Sequence, residues 1–399
     1  MGSRGCSDKT PPARKRFTEC GRPANALRLP RMARSYPWRQ RLTGTYKRHR
    51  LGWDLAFFAA GFVFDVFAAS AGVDHVLMIV QQIVYLTIIG SILYVELVRD
   101  TDPDAWPMRP WIEKAWSYRS LVFHFCLGTL MNLYSIFFLM SASLASSILF
   151  VVLLFGAVIL NEIASIRHHG LDVKVALYVL SLFCFWSLLI PILLGTVSQI
   201  TFILSFCATL GVLALFYTRL RRRLRHGTII RRLLAPGLAV SGLFLGLYLA
   251  GLIPPVPIAA KTLGVYHRVE RVGDRFVVYY ESSSWRFWRQ DDETFAAEPG
   301  DVVHVFFAIY SPTRFDDTVF VRWSLKDPAH GWQDSDRIPI HITGGREDGF
   351  RGFATKQNFS NGDWRVLVET RDGREISRLH FTVTKRERNP DRVFRTRVY

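Results

Sequence analysis

The residues best equipped for binding chemistry lie together at Trp285, Arg286, Phe287, Trp288 and Arg289. On a strand, Trp285 and Phe287 would share one face, with Arg286 and Trp288 on the other. Aromatic rings supply contact area at low entropy cost, and the guanidinium fork reads carboxylate or phosphate. The run therefore suits a glycan, an anionic polymer, a protein partner or the lipid headgroup layer; the alternative is that one of its faces is core. His330 and Trp332 share a loop further on and could join the same site. Asp65 is an acidic residue inside an apolar run. Two readings stay open for it: a proton or ion site, or a hydrogen bond to Gln81 or Gln82 of the next run. Glu96 and Glu162 lie close enough to run ends to reach an interface, and His124 reads as a packing residue.

Chemistry beyond binding finds no support in the motifs. The chain has no phosphate-binding glycine loop, no His-Glu-x-x-His, no Gly-x-Ser-x-Gly and no Cys-x-x-Cys. Its cysteines are Cys6, Cys20, Cys126, Cys184 and Cys207, so the region after residue 207 has no disulfide and no thiolate metal site. His267, His304, His330, His341 and His380 do not assemble with a nucleophile, and His304, His341 and His380 fall in alternating strand runs. No catalytic residue, metal ligand or cofactor is expected. A binding role is preferred to an enzymatic one.

The elements that must position these residues divide the chain in two. Apolar blocks at about 52–71, 75–98, 120–140, 144–166, 173–194, 197–217 and 234–253 are each long enough to cross a bilayer, which takes about 20 residues. They predict a membrane bundle of seven helices over 52–255. The net charge of +17 is unevenly placed. Residues 1–52 carry 14 Lys and Arg against 2 Asp and Glu, whereas residues 256–399 carry 23 against 21. That distribution, without any nucleic-acid-binding motif, argues against nucleic acid as a partner. All 13 Lys and Arg between residues 53 and 255 fall in the loops 99–119, 167–174 and 219–232, and the alternate turns have none. The positive-inside bias then puts the N-terminus in the cytoplasm and the C-terminus outside. Residues 1–51 read as a disordered basic tail without a signal peptide, and Met32 is a second possible start. Gly242 and Gly246 form a small-residue face in the last span, suited to close helix packing within the bundle or between protomers.

From residue 261 to 385 the period changes to two. Val303, Val305, Phe307 and Ile309 alternate along one run, and Val319, Val321, Trp323 and Leu325 along another. Trp323 and Trp364 read as core. Turn signals at Pro299-Gly300, Asp348-Gly349, Asn361-Gly362 and Asp372-Gly373 separate about eight short strands. The pattern predicts an all-β sandwich, immunoglobulin-like or fibronectin-like, followed by a loose basic tail over 386–399.

The segment also resembles a family, on Gly264-Val265-Tyr266-His267, Trp285-Arg286-Phe287-Trp288, Ser311-Pro312-Thr313-Arg314-Phe315, Val321-Arg322-Trp323 and Asp336-Arg337-Ile338-Pro339. Gly344-Gly345-Arg346 with Gly349-Phe350-Arg351-Gly352 adds to it. So do Gly362-Asp363-Trp364-Arg365-Val366, Asp372-Gly373-Arg374 and Phe381-Thr382-Val383. These residues resemble the domain-of-unknown-function family DUF2914. The resemblance implies a proteobacterial multi-span membrane protein with a second, DUF5924-like family over its spans, and it brings no activity or site residue. The combined expectation is an inner-membrane protein whose periplasmic sandwich binds an envelope component. Transport or membrane-embedded catalysis through Asp65 is the competing expectation.

Overall fold

A computed structural model describes residues 75–101, 109–143, 147–162, 170–281, 291–344 and 349–399. Its N-terminal half is helical: α1 (Val76–Thr101), the short α2 (Pro110–Trp116), α3 (Arg119–Ser141), α4 (Ile148–Glu162), α5 (Leu171–Leu194), α6 (Gln199–Leu220) and α7 (His226–Leu249). Among the described residues, α1, α3, α5, α6 and α7 are five helices long and apolar enough to cross a membrane, and α4 is a shorter apolar helix. The predicted first span, with Asp65, lies outside the described residues. α3 and α5 are the most enclosed helices, each with nearly three-quarters of its apolar stretch buried.

The last predicted span is displaced. It was expected over 234–253, but the helix begins at His226 and ends at Leu249. The arginines do not stop it, because Arg231 and Arg232 sit within a π-turn at Ile230–Leu234 that leads into Pro236. A π-turn widens the backbone where the proline ring would otherwise meet a preceding carbonyl. Gly251, at φ 70, turns the chain before Pro254.

The two ends of the bundle differ chemically. At the end with the basic loops, Glu96 is only 8% exposed and accepts from Lys174 Nζ at 2.8 Å and Arg119 Nε at 3.0 Å. This satisfies a carboxylate that would be costly alone. The opposite end carries the sandwich. Gly195, at φ 72, ends α5, and its carbonyl accepts from Asp316 N at 3.0 Å. A Cβ there would lie 2.5 Å from the Arg314 carbonyl oxygen, so only glycine fits. Val197 N donates to Asp317 Oδ2 at 3.1 Å, and Ser143 Oγ donates to Glu375.

The C-terminal half is all β. Its strands are β1 (Ala259–Tyr266), β2 (Arg268–Val272), β3 (Arg275–Tyr280), β4 (Thr294–Ala297), β5 (Val303–Tyr310) and β6 (Asp316–Asp327). β7 (Gly331–Thr343), β8 (Phe350–Lys356), β9 (Gly362–Glu369), β10 (Glu375–Lys385) and β11 (Arg395–Val398) follow. A sheet of order β1-β5-β8 packs on one of order β4-β10-β9-β6-β7, in which β4 runs parallel to β10. Period-two alternation fills the space between them with Val303, Val305, Phe307, Val319, Val321, Trp323, Trp364, Val366 and Phe381, all buried. Asp372-Gly373 turns the β9–β10 hairpin, with Gly373 at φ 77.

The tail corrects one expectation. Residues 386–399 are not loose: β11 completes a third sheet, β11-β3-β2, and Tyr399 stacks on Phe306 at 4.9 Å. Pairing with β3 satisfies the backbone of a segment too polar to read as a strand.

Candidate functional site

The best candidate site is the outer face of the five-stranded sheet. Core alternation on β9 turns Trp364, Val366 and Val368 inward, so Arg365, Leu367 and Glu369 must point outward. A bulge between Trp323 and Ser324 resets the register of β6 against β7. Across β7, β6, β9 and β10 this aligns one row of Asp334, Ser324, Arg365 and His380 and a neighbouring row of Arg337, Arg322, Leu367 and Arg378.

Three of the four arginines on this face are matched. Glu369, 2% exposed, accepts from Arg337 Nε at 2.8 Å and from Arg322 Nη2. Arg322 Nη1 also reaches Asp334 at 3.2 Å, and Arg378 pairs with Glu375. Arg365 differs. Its guanidinium lies 4.6 Å over the Trp332 ring, and it makes no ion pair among the described residues, although its Nε is buried without an acceptor like those of Arg322 and Arg378. Burial and then the Arg378 charge pull its pKa below the usual arginine value. His380 packs on Trp332 at 5.4 Å, and burial, then Arg378 and Arg365, lower its pKa, so it is neutral at pH 7. The result is a half-buried aromatic ring, an unmatched guanidinium and a neutral imidazole side by side. That set can take a carboxylate or phosphate on its forked donors and a sugar or apolar face on its rings.

A second polar cluster joins the tail to the sandwich. Arg392 bonds Glu281 through Nε, Asp301 through Nη1 at 2.8 Å and His267 Nδ1 through Nη2 at 2.8 Å. Arg386 pairs with Glu281 at 2.6 Å and Glu298 at 2.9 Å. Arg392 Nη2 approaches both ring nitrogens of His267, Nδ1 at 2.8 Å and Nε2 at 3.3 Å, and Nε2 lies 3.5 Å from Asp292 Oδ2, which is buried without a hydrogen bond. Burial, helped by Arg392, lowers the His267 pKa to about 4, and burial raises that of Asp292 to about 8. Both arginines pair within the cluster, and the His267 ring stacks on Phe295 at 4.0 Å, so the cluster's role is to fasten the tail.

The residues expected from sequence distribute as follows. Trp285, Arg286, Phe287, Trp288 and Arg289 lie outside the described residues, as does Asp65. Trp332 belongs to the arginine face. His330 is on the β6–β7 turn, largely exposed, with Nδ1 3.1 Å from Asp327. Gln81 is exposed, whereas Gln82 is buried and donates to the Met78 carbonyl at 3.2 Å within its own helix. Gly242 and Gly246 face outward, and a Cβ on either would meet nothing within 4 Å. Close packing uses other glycines: a Cβ on Gly90 would lie 2.7 Å from Tyr178 Oη, and one on Gly237 3.0 Å from Leu213. Sequence reasoning did not single out Arg322, Arg365, Arg378, Glu369 and Asp334 as a group. Their signal was present as charges alternating with the core aliphatics of β6, β9 and β10.

Residues 316–383 match a family model described as a protein of unknown function, DUF2914, which bears out the resemblance over that segment. The match runs from the first residue of β6 into β10, the strands that carry the arginine face. No curated protein matches the chain. Among solved structures, an immunoglobulin-like protein from Pseudomonas aeruginosa, determined at 1.50 Å, is similar at 15% identity and a TM-score of 0.19, covering 30% of this chain and 96% of that one.

Proposed function

We propose that this is a membrane-anchored binding protein whose β sandwich holds an anionic envelope polymer, such as a carboxylate- or phosphate-bearing glycan, on its arginine face. The observation that carries the reading is Arg365, stacked on Trp332 without a carboxylate partner among the described residues. A guanidinium left unmatched among three matched neighbours is a ready donor for an incoming anion. Trp332 beside it gives the stacking platform that sugar rings use.

In this reading the chain crosses the bacterial inner membrane seven times, with a DUF5924-like helical region, and carries an immunoglobulin-like domain in the periplasm. Two features support that orientation. The basic loops cluster at one end of the bundle, and the sandwich packs on the other, against Ser143, Gly195 and Val197. Binding of the detergent-solubilised full chain to carboxylated, sulfated and neutral dextran tests the function. The charged polymers should bind and the neutral one should not, and Arg365→Gln should weaken binding about tenfold, as loss of a charge-assisted hydrogen bond does. Equal binding of all three polymers would remove the basis of the reading.

A further inference from the structure

We propose that the groove where the β9–β10 hairpin meets the sandwich-bearing ends of α6 and α7 binds one phospholipid whose headgroup carries a primary ammonium beside its phosphate. The groove encloses about 650 Å³, a size suited to a small ligand or lipid headgroup. It has two chemically different halves. Phe202 and Ile203 of α6 and Leu245 and Leu249 of α7 form an apolar wall. Ile203, Leu245 and Leu249 are 55%, 39% and 76% exposed, so that wall is open along the helices as an acyl chain requires.

The other half is polar and comes from the hairpin. The Arg374 guanidinium lies 3.4 Å over the Tyr248 ring, and its Nη2 donates to the Tyr248 carbonyl at 3.2 Å. Its Nε and Nη1 are buried without an acceptor, and the Tyr248 hydroxyl lies beside the same guanidinium. Asp372 Oδ2, also buried, has no donor. Three unpartnered buried polar atoms on two neighbouring residues of one groove are uncommon in a folded protein.

The charges decide which headgroup fits. The third ionic residue of the groove, Glu375, is already taken by Arg378 and Ser143. What remains is one cation, Arg374, and one carboxylate, Asp372. A phosphate satisfies the guanidinium and hydroxyl, and an ammonium satisfies the carboxylate. An anionic headgroup without an ammonium would meet Asp372 unfavourably, and a quaternary ammonium has no N–H to donate.

The inference rests on reading α1, α3 and α5–α7 as membrane spans. Its test is native mass spectrometry of the full chain released from micelles containing equal amounts of phosphatidylethanolamine, phosphatidylglycerol and phosphatidylcholine. One phosphatidylethanolamine should be retained per chain, about tenfold in preference to the others, the worth of one charge-assisted hydrogen bond. Arg374→Gln and Asp372→Asn should each remove that preference. Leu245→Trp, which fills the apolar half, should lower retention of every lipid, and Arg365→Gln should leave lipid retention as it is. If Arg374→Gln does not fold, Asp372→Asn and Leu245→Trp carry the test. Equal retention of the three lipids, retention unchanged in Asp372→Asn and Leu245→Trp, or displacement by soluble glycerophosphoethanolamine would overturn the proposal. A chain that stayed soluble without detergent would overturn the span reading instead.

Discussion

The sandwich carries two charged clusters that use arginine in opposite ways. In the tail cluster, Arg386 and Arg392 share Glu281, Glu298 and Asp301, and His267 fills the remaining donor. On the outer sheet face, Arg322, Arg337 and Arg378 are matched by Glu369, Asp334 and Glu375, while Arg365 is left with an aromatic ring. The difference separates a fastening from a receptor. A closed network spends its donors on holding the chain and has none to offer, whereas one open position among closed ones can be held rigidly and still bind.

The largest effect should come from opening the closed cluster. Arg392→Ala leaves Asp301 without its arginine and Glu281 with Arg386 alone, and it frees the tail, so the C-terminal domain should lose about 3 kcal/mol, read from denaturant unfolding of its tryptophan fluorescence. A loss near zero would mean that the tail is fastened by β11 alone.

The same cluster predicts a pH dependence. Asp292, raised to about 8, keeps its proton in the folded state, so its contribution is present below the ordinary carboxylate range and is lost as pH rises through 8. His267, lowered to about 4, refuses a proton when folded, so its contribution is lost as pH falls from 6.5 towards 4. The two slopes oppose each other below pH 6.5. Between pH 6.5 and 8 Asp292 acts alone, and the domain should lose up to about 2 kcal/mol. Asp292→Asn should flatten that interval in urea midpoints, and an unchanged slope would place the titration elsewhere.

The open position predicts the smallest change in stability. Arg365→Gln should shift unfolding by no more than about 0.5 kcal/mol while anionic-polymer binding falls. A destabilisation as large as that of Arg392→Ala would erase the distinction between the clusters.

Much of this architecture is legible in the sequence because it rests on period alone. The apolar runs placed α1, α3, α5 and α6 to within a few residues, and strict alternation identified Trp323 and Trp364 as core. The Asp372-Gly373 hairpin followed from backbone preference. What escaped depends on long-range pairing. β11 is four residues of basic and polar character whose partner, β3, lies more than a hundred residues earlier. Trp332 and Arg365 meet only because the bulge at Trp323 and Ser324 shifts the register, and no local pattern announces a bulge. The passage of α7 through Arg231, Arg232 and Pro236 depends on a π-turn that propensity does not foresee.

The central claim is that the bundle holds this sandwich on the side of the membrane opposite the basic loops. Single cysteines tested with a membrane-impermeant maleimide address it most directly, in a background with Cys6, Cys20, Cys126, Cys184 and Cys207 all replaced by Ser. Ala329→Cys lies on the β6–β7 turn and Arg223→Cys in the arginine-rich loop after α6. In spheroplasts Ala329→Cys should label at once and Arg223→Cys only after lysis; labelling of Arg223→Cys in intact spheroplasts with Ala329→Cys protected would contradict the account.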